Sequence, residues 1–433
     1  MIKETKIVLV GGGSTQFAPL LLSDFLTEPA LDHATVVLLD KHEKKLQRVF
    51  KLGKRLCDAS DSGMVLECTS DRAEALPGAD FLIISVEQDR FPTWEMDRAI
   101  PKRYGIHQAL GENGGPGGLL HSLRQIPPIV EILLDAQELC PGALVMNLSN
   151  PMSRIMQAIV DYTDVRALGL CHEIAGGTDF VCELLGEQEN NLDLLAAGLN
   201  HFSWFLKVQD KTGRDLYPQL LKRLKEKPHK DRLLVADLAR LIGYVSITGD
   251  SHVGEYLRDG HLWSSKWAEH IEPLDFFQFY RDEIRKLDNR VDDLGSGRLD
   301  PHEFLSHPSG EIVADVITAV LEHRETRFAA VNVPNDGLVN NLPPGCIVEV
   351  PAKICGQEIS PIPVVKLPDI LAAWCMPQTV IHSLTAKAAM DGDRAKALQV
   401  LLLDPVVPDR VTAERCLDDM LLANRDYLPR FFS

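Results

Sequence analysis

The stretch from Lys6 to Asp40 constrains the fold most. An apolar run, "KIVLV" at 6–10, passes into Gly11-Gly12-Gly13-Ser14-Thr15-Gln16-Phe17, then into the helical pattern "APLLLSDFL", and then into a second apolar run, "TVVLLD", closed by Asp40. Strand, glycine turn, helix, strand and acid in that order mark a dinucleotide-binding βαβ unit. Glycines permit the tight turn and let the backbone approach a pyrophosphate at the helix N-terminus. Gln16 stands where the fingerprint has its third glycine, so the motif is read by its position rather than alone. Asp40, 24 residues beyond Gln16, is placed to hydrogen-bond ribose hydroxyls and repel a 2′-phosphate, which favours NAD over NADP. Without a nucleotide the same glycines would make only a turn, and Asp40 an N-cap.

Four more short runs rich in Val, Ile and Leu follow: "MVLEC" (64–68), "DFLIISV" (80–86), "ALVMNLS" (143–149) and "ALGLC" (167–171). With amphipathic segments between them they predict a parallel sheet with crossover helices. The expected fold is α/β: an N-terminal Rossmann-type doubly wound sheet over 1–195, then a mixed α+β substrate and oligomerisation domain over 196–433. That expected arrangement resembles the architecture of lactate and malate dehydrogenases. Functional residues should gather past the carboxyl ends of the strands. The second half carries a charged and aromatic helical segment around 272–288 and a proline-rich tract at 341–368.

A net charge of −17 argues against nonspecific nucleic-acid binding, though a pocket can still be basic. Nine cysteines, an odd count without C-x-x-C pairs, argue for reduced thiols and against a disulfide framework or zinc ribbon. No apolar run is long enough to span a bilayer, so a cytoplasmic, non-membrane protein is expected.

In "LGLCHEIAGG" (168–177) Cys171 stands beside His172 where an apolar run ends. Alone, Cys171 reads as a buried thiol, a nucleophile or a metal ligand. Adjacent strand residues point to opposite faces, which weakens a Cys171–His172 nucleophile and base. His201, in "GLNHFSWF" (198–205), follows a further apolar run. A zinc hydrolase would need more histidine or carboxylate ligands than this pair.

Taken in order with "LGENGGPGGLLHSLRQIP" (110–127), "MNLSNPMSRI" (146–155), "GDSHVGEY" (249–256) and "GCIVEVPA" (345–352), these stretches resemble the NAD- and divalent-metal-dependent glycosidases of glycoside hydrolase family 4. The resemblance implies that Cys171 and His201 hold Mn²⁺ and that Asn150 contacts sugar hydroxyls. It implies a route outside the usual two-carboxylate scheme. NAD⁺ takes hydride from C3, a base takes the C2 proton, the aglycone leaves by elimination, water adds, and the hydride returns. Tyr256 is the expected base, with Asp250 behind it. His172 stands where phosphosugar members carry an aspartate acid, which argues against a 6-phosphoglycoside; His172 or Glu173 takes the related polar role. Glu112 and Asn113 are expected near the sugar or the nicotinamide.

Because "CHE" looks most like the α-galacturonidase group, the expected substrate is an α-galacturonide, with α-glucosidase and α-glucuronidase as alternatives. A uronate asks for an arginine or lysine. Arg90, Arg98, Lys102 and Arg103 follow the fourth strand, and Arg90 is nearest its end. The bland reading makes them a solvated helix face. A 2-hydroxyacid dehydrogenase with net redox and an NAD-binding sensor without turnover are the rivals from other classes. A homodimer or homotetramer is expected by resemblance.

Overall fold

All six strands expected in the first half form: β1 (Lys6–Val10), β2 (Thr35–Leu39), β3 (Val65–Thr69), β4 (Phe81–Ile84), β5 (Leu144–Asn147) and β6 (Arg166–Gly169). A computed structural model provides the coordinates and describes residues 5–227, 229–262, 273–307 and 309–433. The six strands are parallel in the order β3-β2-β1-β4-β5-β6, the doubly wound arrangement. Ile7, Val8, Leu9 and Val10 are all buried, as a strand covered on both faces requires. The strand order reverses between β1 and β4, so the loops after Val10 and Ile84 open the crevice.

The sheet does not end at β6. β7 (Leu192–Leu199), β8 (Phe202–Asp210), β9 (Val245–Ser246), β10 (Thr326–Pro334), β11 (Ile347–Cys355) and β12 (Glu358–Pro361) extend it with antiparallel pairs. The order continues β6-β10-β11-β7-β8-β9, with β12 beside β11. Much of the proline-rich tract is therefore the β11–β12 hairpin and the loop after it. The segment around 272–288 lies in a helix, Pro273–Ser296, and residue 272 is outside the described residues. Arg48 ties that helix to the Glu43–Ala59 helix through Asp288 (3.2 Å) and Asp292 (2.7 Å).

C-terminal helices Asp369–Asp391, Arg394–Leu403 and Arg410–Ala423 fold back across the first half. Ile381, Ala389, Leu401 and Leu417 share one core with Ile126 and Ile129 of the Gly115–Leu139 helix and Ile155 of the Met152–Tyr162 helix. Among the described residues no helix is long and apolar enough to cross a membrane.

One buried group in this layer makes stability pH-dependent. His382 is 3% exposed, its Nδ1 has no hydrogen-bond partner, and burial beside the Arg154 charge pushes its imidazole down to about 3. The unfolded chain takes that proton near pH ~6.5 while the folded chain does not, so stability is present above that pH and falls as the solution is acidified. At pH 5 the loss from this group is about 2 kcal/mol. Urea unfolding of His382→Gln at pH 7 and pH 5 should show a difference about 2 kcal/mol smaller than that of the parent. Equal differences would count against the account.

Candidate active site

The nucleotide turn is built by backbone. Gly11 and Gly12 donate N–H bonds to the Leu39 carbonyl (2.9 and 3.1 Å), and Gly13 donates to Asp40 Oδ2 (3.0 Å). Gly11 has φ +89°, and a Cβ there would lie 1.9 Å from the Ser85 carbonyl oxygen, so only glycine fits. Ser14 Oγ accepts the Gln16 and Phe17 N–H groups (both 3.3 Å), and Thr15 Oγ1 donates to Asp288 (2.7 Å). Asp40 also accepts the His42 N–H (2.8 Å), so it anchors the turn from the position expected for a ribose acid.

Cys171 follows β6, and His201 sits in the β7–β8 turn with φ +61°. Cys171 Sγ lies 3.5 Å from His201 Nε2. Burial, with the Glu349 carboxylate nearby, pushes the Cys171 thiol far up. Burial beside His252 pushes the His201 imidazole down to about 3. Both effects disfavour thiolate and imidazolium in a dry pair, and a bound cation reverses that balance for the thiol.

The pair opens on a cavity of about 170 Å³. Phe17, Glu112, Asn150, His172 and Glu173, all singled out in the sequence, line it with Cys171 and His201. Leu148, Met152, Leu170, His252 and Glu311 complete it. A larger hollow, about 570 Å³, lies between Leu206, Tyr244 and Pro368 and holds none of these groups. Among the described residues no group of three or more His, Cys, Asp or Glu that could hold a metal ion occurs.

Residues 6–187 match the model of the family 4 glycosyl hydrolases, and residues 196–407 match that of the family's C-terminal domain. The chain belongs to glycosyl hydrolase family 4. An α-glucosidase of Erwinia rhapontici is 35% identical, with 93% of this chain and 94% of that one covered. An α-galacturonidase of Lachnoclostridium phytofermentans is 29% identical, with 99% and 98% covered. A 6-phospho-α-glucosidase from gut microorganisms, solved with NAD and Mn²⁺, superposes with a TM-score of 0.85 at 24% identity and covers 99% of each chain, a likeness that carries the fold.

In this family 4 glycosidase, Arg90 begins the Arg90–Arg103 helix after β4 but does not line the cavity. It pairs with Glu112 (2.7 Å) and Glu87 (3.3 Å) and lies over the Trp94 ring at 4.4 Å. Burial would raise the Glu112 carboxyl, yet the Arg90 charge holds it at about 2. Asn113 is buried behind the loop, its Nδ2 donating to Glu255 (3.2 Å). Glu255 also accepts the N–H groups of Glu112 (2.7 Å) and Asn113 (3.1 Å), so one buried carboxylate fixes the glycine-rich loop.

The two expected bases stand back from the cavity. Asp250 accepts the N–H groups of Leu234 (2.9 Å) and Val235 (3.0 Å) at the start of the Leu233–Ile242 helix. Tyr256 stacks on Phe202 (4.7 Å) and donates to the Asn200 carbonyl (3.3 Å). Burial and the Glu255 charge push its phenol well above the usual range. His252, from the same "GDSHVGEY" stretch, does line the cavity, its ring 4.4 Å from that of His201. The motif contained that histidine in plain view. Glu311 accepts from His172 Nδ1 (3.0 Å) and, with burial opposing, raises its imidazole. The two are 139 residues apart, and nothing in the sequence joins them.

Proposed function

We propose that this glycosidase cleaves an uncharged α-hexoside, such as an α-glucoside, with NAD at Gly11–Phe17 and Asp40 and with Mn²⁺ or another divalent transition metal at Cys171 and His201. The approach of Cys171 to His201 within 3.5 Å, in a cavity that Phe17 of the nucleotide turn also lines, carries this reading. The residues suit both groups. A Cβ at Gly12 would lie 2.8 Å from Leu38, so glycine lets the turn pack closely on β2 at the place where the fingerprint puts a pyrophosphate. A thiol and an imidazole are a mixed donor pair for a transition ion, with open positions for substrate oxygens.

When bound, NAD supplies reversible hydride exchange at C3 and the ion polarises the sugar oxygens, making the C2 proton acidic. Asn150 Oδ1 accepts the Met152 N–H (3.3 Å), which leaves its Nδ2 to hold a sugar hydroxyl. His172, oriented by Glu311, is assigned the proton for the leaving oxygen. For the C2 proton we assign His252, because it faces the cavity while Tyr256 and Asp250 are occupied elsewhere. His252→Gln should lower kcat by about 10²–10⁴ and Tyr256→Phe by much less, in single-turnover assays with a C2-deuterated substrate. The opposite ranking would return the role to Tyr256.

Glu112, Glu173 and Glu311 line the cavity, and no lysine or arginine does among the described residues. A uronate would meet like charges there, so this reading replaces the uronate with a neutral sugar. The test is nitrophenol release from p-nitrophenyl α-glucoside, α-galactoside and α-galacturonide, with and without NAD⁺ and Mn²⁺. A preferred neutral glycoside, cleaved only with both additions and without net NADH, is expected. A preferred galacturonide would overturn the sugar assignment, and NADH accumulating without cleavage would leave a dehydrogenase. All nine cysteines are free, in keeping with a reducing cytoplasm. Exposed Ile370, Met376 and Val380 on the Asp369–Asp391 helix are in keeping with a homodimer or homotetramer.

A further inference from the structure

We propose that Glu349 is a positioning residue for the metal pair, a buried carboxylate that locks the Cys171 and His201 ends of the sheet together and balances the charge of the ion between them. The inference rests on the metal reading above and adds a residue outside the cavity.

A single row crosses the sheet at this level. Gly169 of β6 pairs with Asn332 of β10, Asn332 with Glu349 of β11, Glu349 with Gly198 of β7, and Gly198 with Ser203 of β8. Two residues past Gly169 the chain reaches Cys171, and the turn between Gly198 and Ser203 carries His201. β6–β10 and β11–β7 are each in register through one residue pair only, so the backbone ladder is thin at the joint between the two ligands. Side chains supply what it lacks.

Glu349 Oε1 accepts from Asn332 Nδ2 (3.1 Å) and Asn200 Nδ2 (2.9 Å), and Oε2 accepts from Ser203 Oγ (2.5 Å). The carboxylate therefore grips Asn332 on the Cys171 side and, on the His201 side, Asn200 next to His201 and Ser203 at the start of β8. His201 is a non-glycine residue at positive φ, a conformation that its surroundings must impose. Gly169 and Gly198 keep the row closed, since a Cβ would lie 2.8 Å from Asn332 Cβ at the first and 2.5 Å from the Phe202 carbonyl oxygen at the second.

All three hydrogen-bond donors are neutral, Glu349 is 5% exposed, and among the described residues it forms no ion pair. A buried carboxylate with no cation is costly. Glu349→Gln keeps the shape, its Oε1 still placed to accept from Asn332 and Asn200 and its amide to donate to Ser203 Oγ, whose hydroxyl also reaches the Leu199 carbonyl (2.8 Å), while removing the carboxylate.

The experiment is Mn²⁺ titration by calorimetry of the full-length parent, Cys171→Ser, Glu349→Gln and Glu349→Asp, with NAD titration and metal-free thermal melting of each. Expected are Mn²⁺ binding about 10–100-fold weaker in Glu349→Gln, the usual effect of losing an outer partner, with unchanged NAD affinity and a metal-free melting temperature at or above the parent's. Glu349→Asp, which keeps the charge, should bind Mn²⁺ more tightly than Glu349→Gln. Parental Mn²⁺ affinity in Glu349→Gln would overturn the proposal, as would a fall in metal-free stability accompanied by weaker NAD binding. A parent that binds no Mn²⁺, or a Cys171→Ser variant that binds it as the parent does, would instead sink the metal reading.

Discussion

Cys171→Ser is expected to lower kcat/KM by about 10³-fold at saturating Mn²⁺ while NAD binds as before. The serine hydroxyl is close in size to the thiol, but it does not ionise near neutrality and is a harder, weaker donor for a transition ion. A Lewis acid at a carbonyl supplies several kcal/mol of transition-state stabilisation, and about 1.4 kcal/mol corresponds to each decade of rate. The nucleotide turn rests on β1, β2 and the Ser85 carbonyl, none of which Cys171 supports, so NAD affinity separates this loss from unfolding. Cys375→Ser is the control, a thiol more deeply buried than Cys171 and outside the cavity lining, which should change stability and leave kcat/KM near the parent's. Retention of more than a tenth of the activity in Cys171→Ser would make that thiol structural.

The first half of the fold is legible because its inner strands β1, β2, β4 and β5 are local and apolar on both faces, and because Gly11 has no alternative beside Ser85. Pairings such as Asn332 with Gly169 were not legible, because strands more than 150 residues apart leave no trace of register in an isolated sequence. The site divides along the same line. Cys171, His201, Asn150 and Glu112 lie just past strands or in the glycine-rich loop, and they meet. The resemblance points to Tyr256 and Asp250 because family members place a tyrosine or an aspartate in this stretch, but an aspartate can equally satisfy the free N–H groups of a helix start, which Asp250 does for Leu234 and Val235. In the same eight residues, His252 is distinguished only by its place against His201, which the sequence does not carry.

Arg90→Met should lower stability by about 3 kcal/mol and reduce activity on all glycosides together. By sequence, Arg90 is the first candidate for a substrate carboxylate because it lies nearest a strand end. Its place past β4 holds, but Glu87 and Glu112 already occupy its guanidinium, and His121 braces Glu87 at 3.2 Å. Methionine fills similar volume and leaves the two carboxylates facing each other without their cation, a loss comparable to breaking a buried pair. Arg90 is 29% exposed, so the low end of that range applies. The pH dependence follows with its sign. Glu112, held at about 2, contributes stability that is present above the unfolded carboxyl value near ~4.3 and is lost as pH falls toward 2. Without Arg90 the carboxyl protonates at higher pH, so the acid limb of kcat/KM should move upward. Denaturant unfolding, together with kcat/KM on α-glucoside and α-galacturonide across pH 4–8, checks both effects. An arginine that instead holds a uronate would show unchanged stability and a selective loss, about 10²-fold, on the galacturonide alone. That result would overturn the neutral-sugar reading, because Arg90, released from Glu112 by the substrate, would then be the cation that holds the carboxylate.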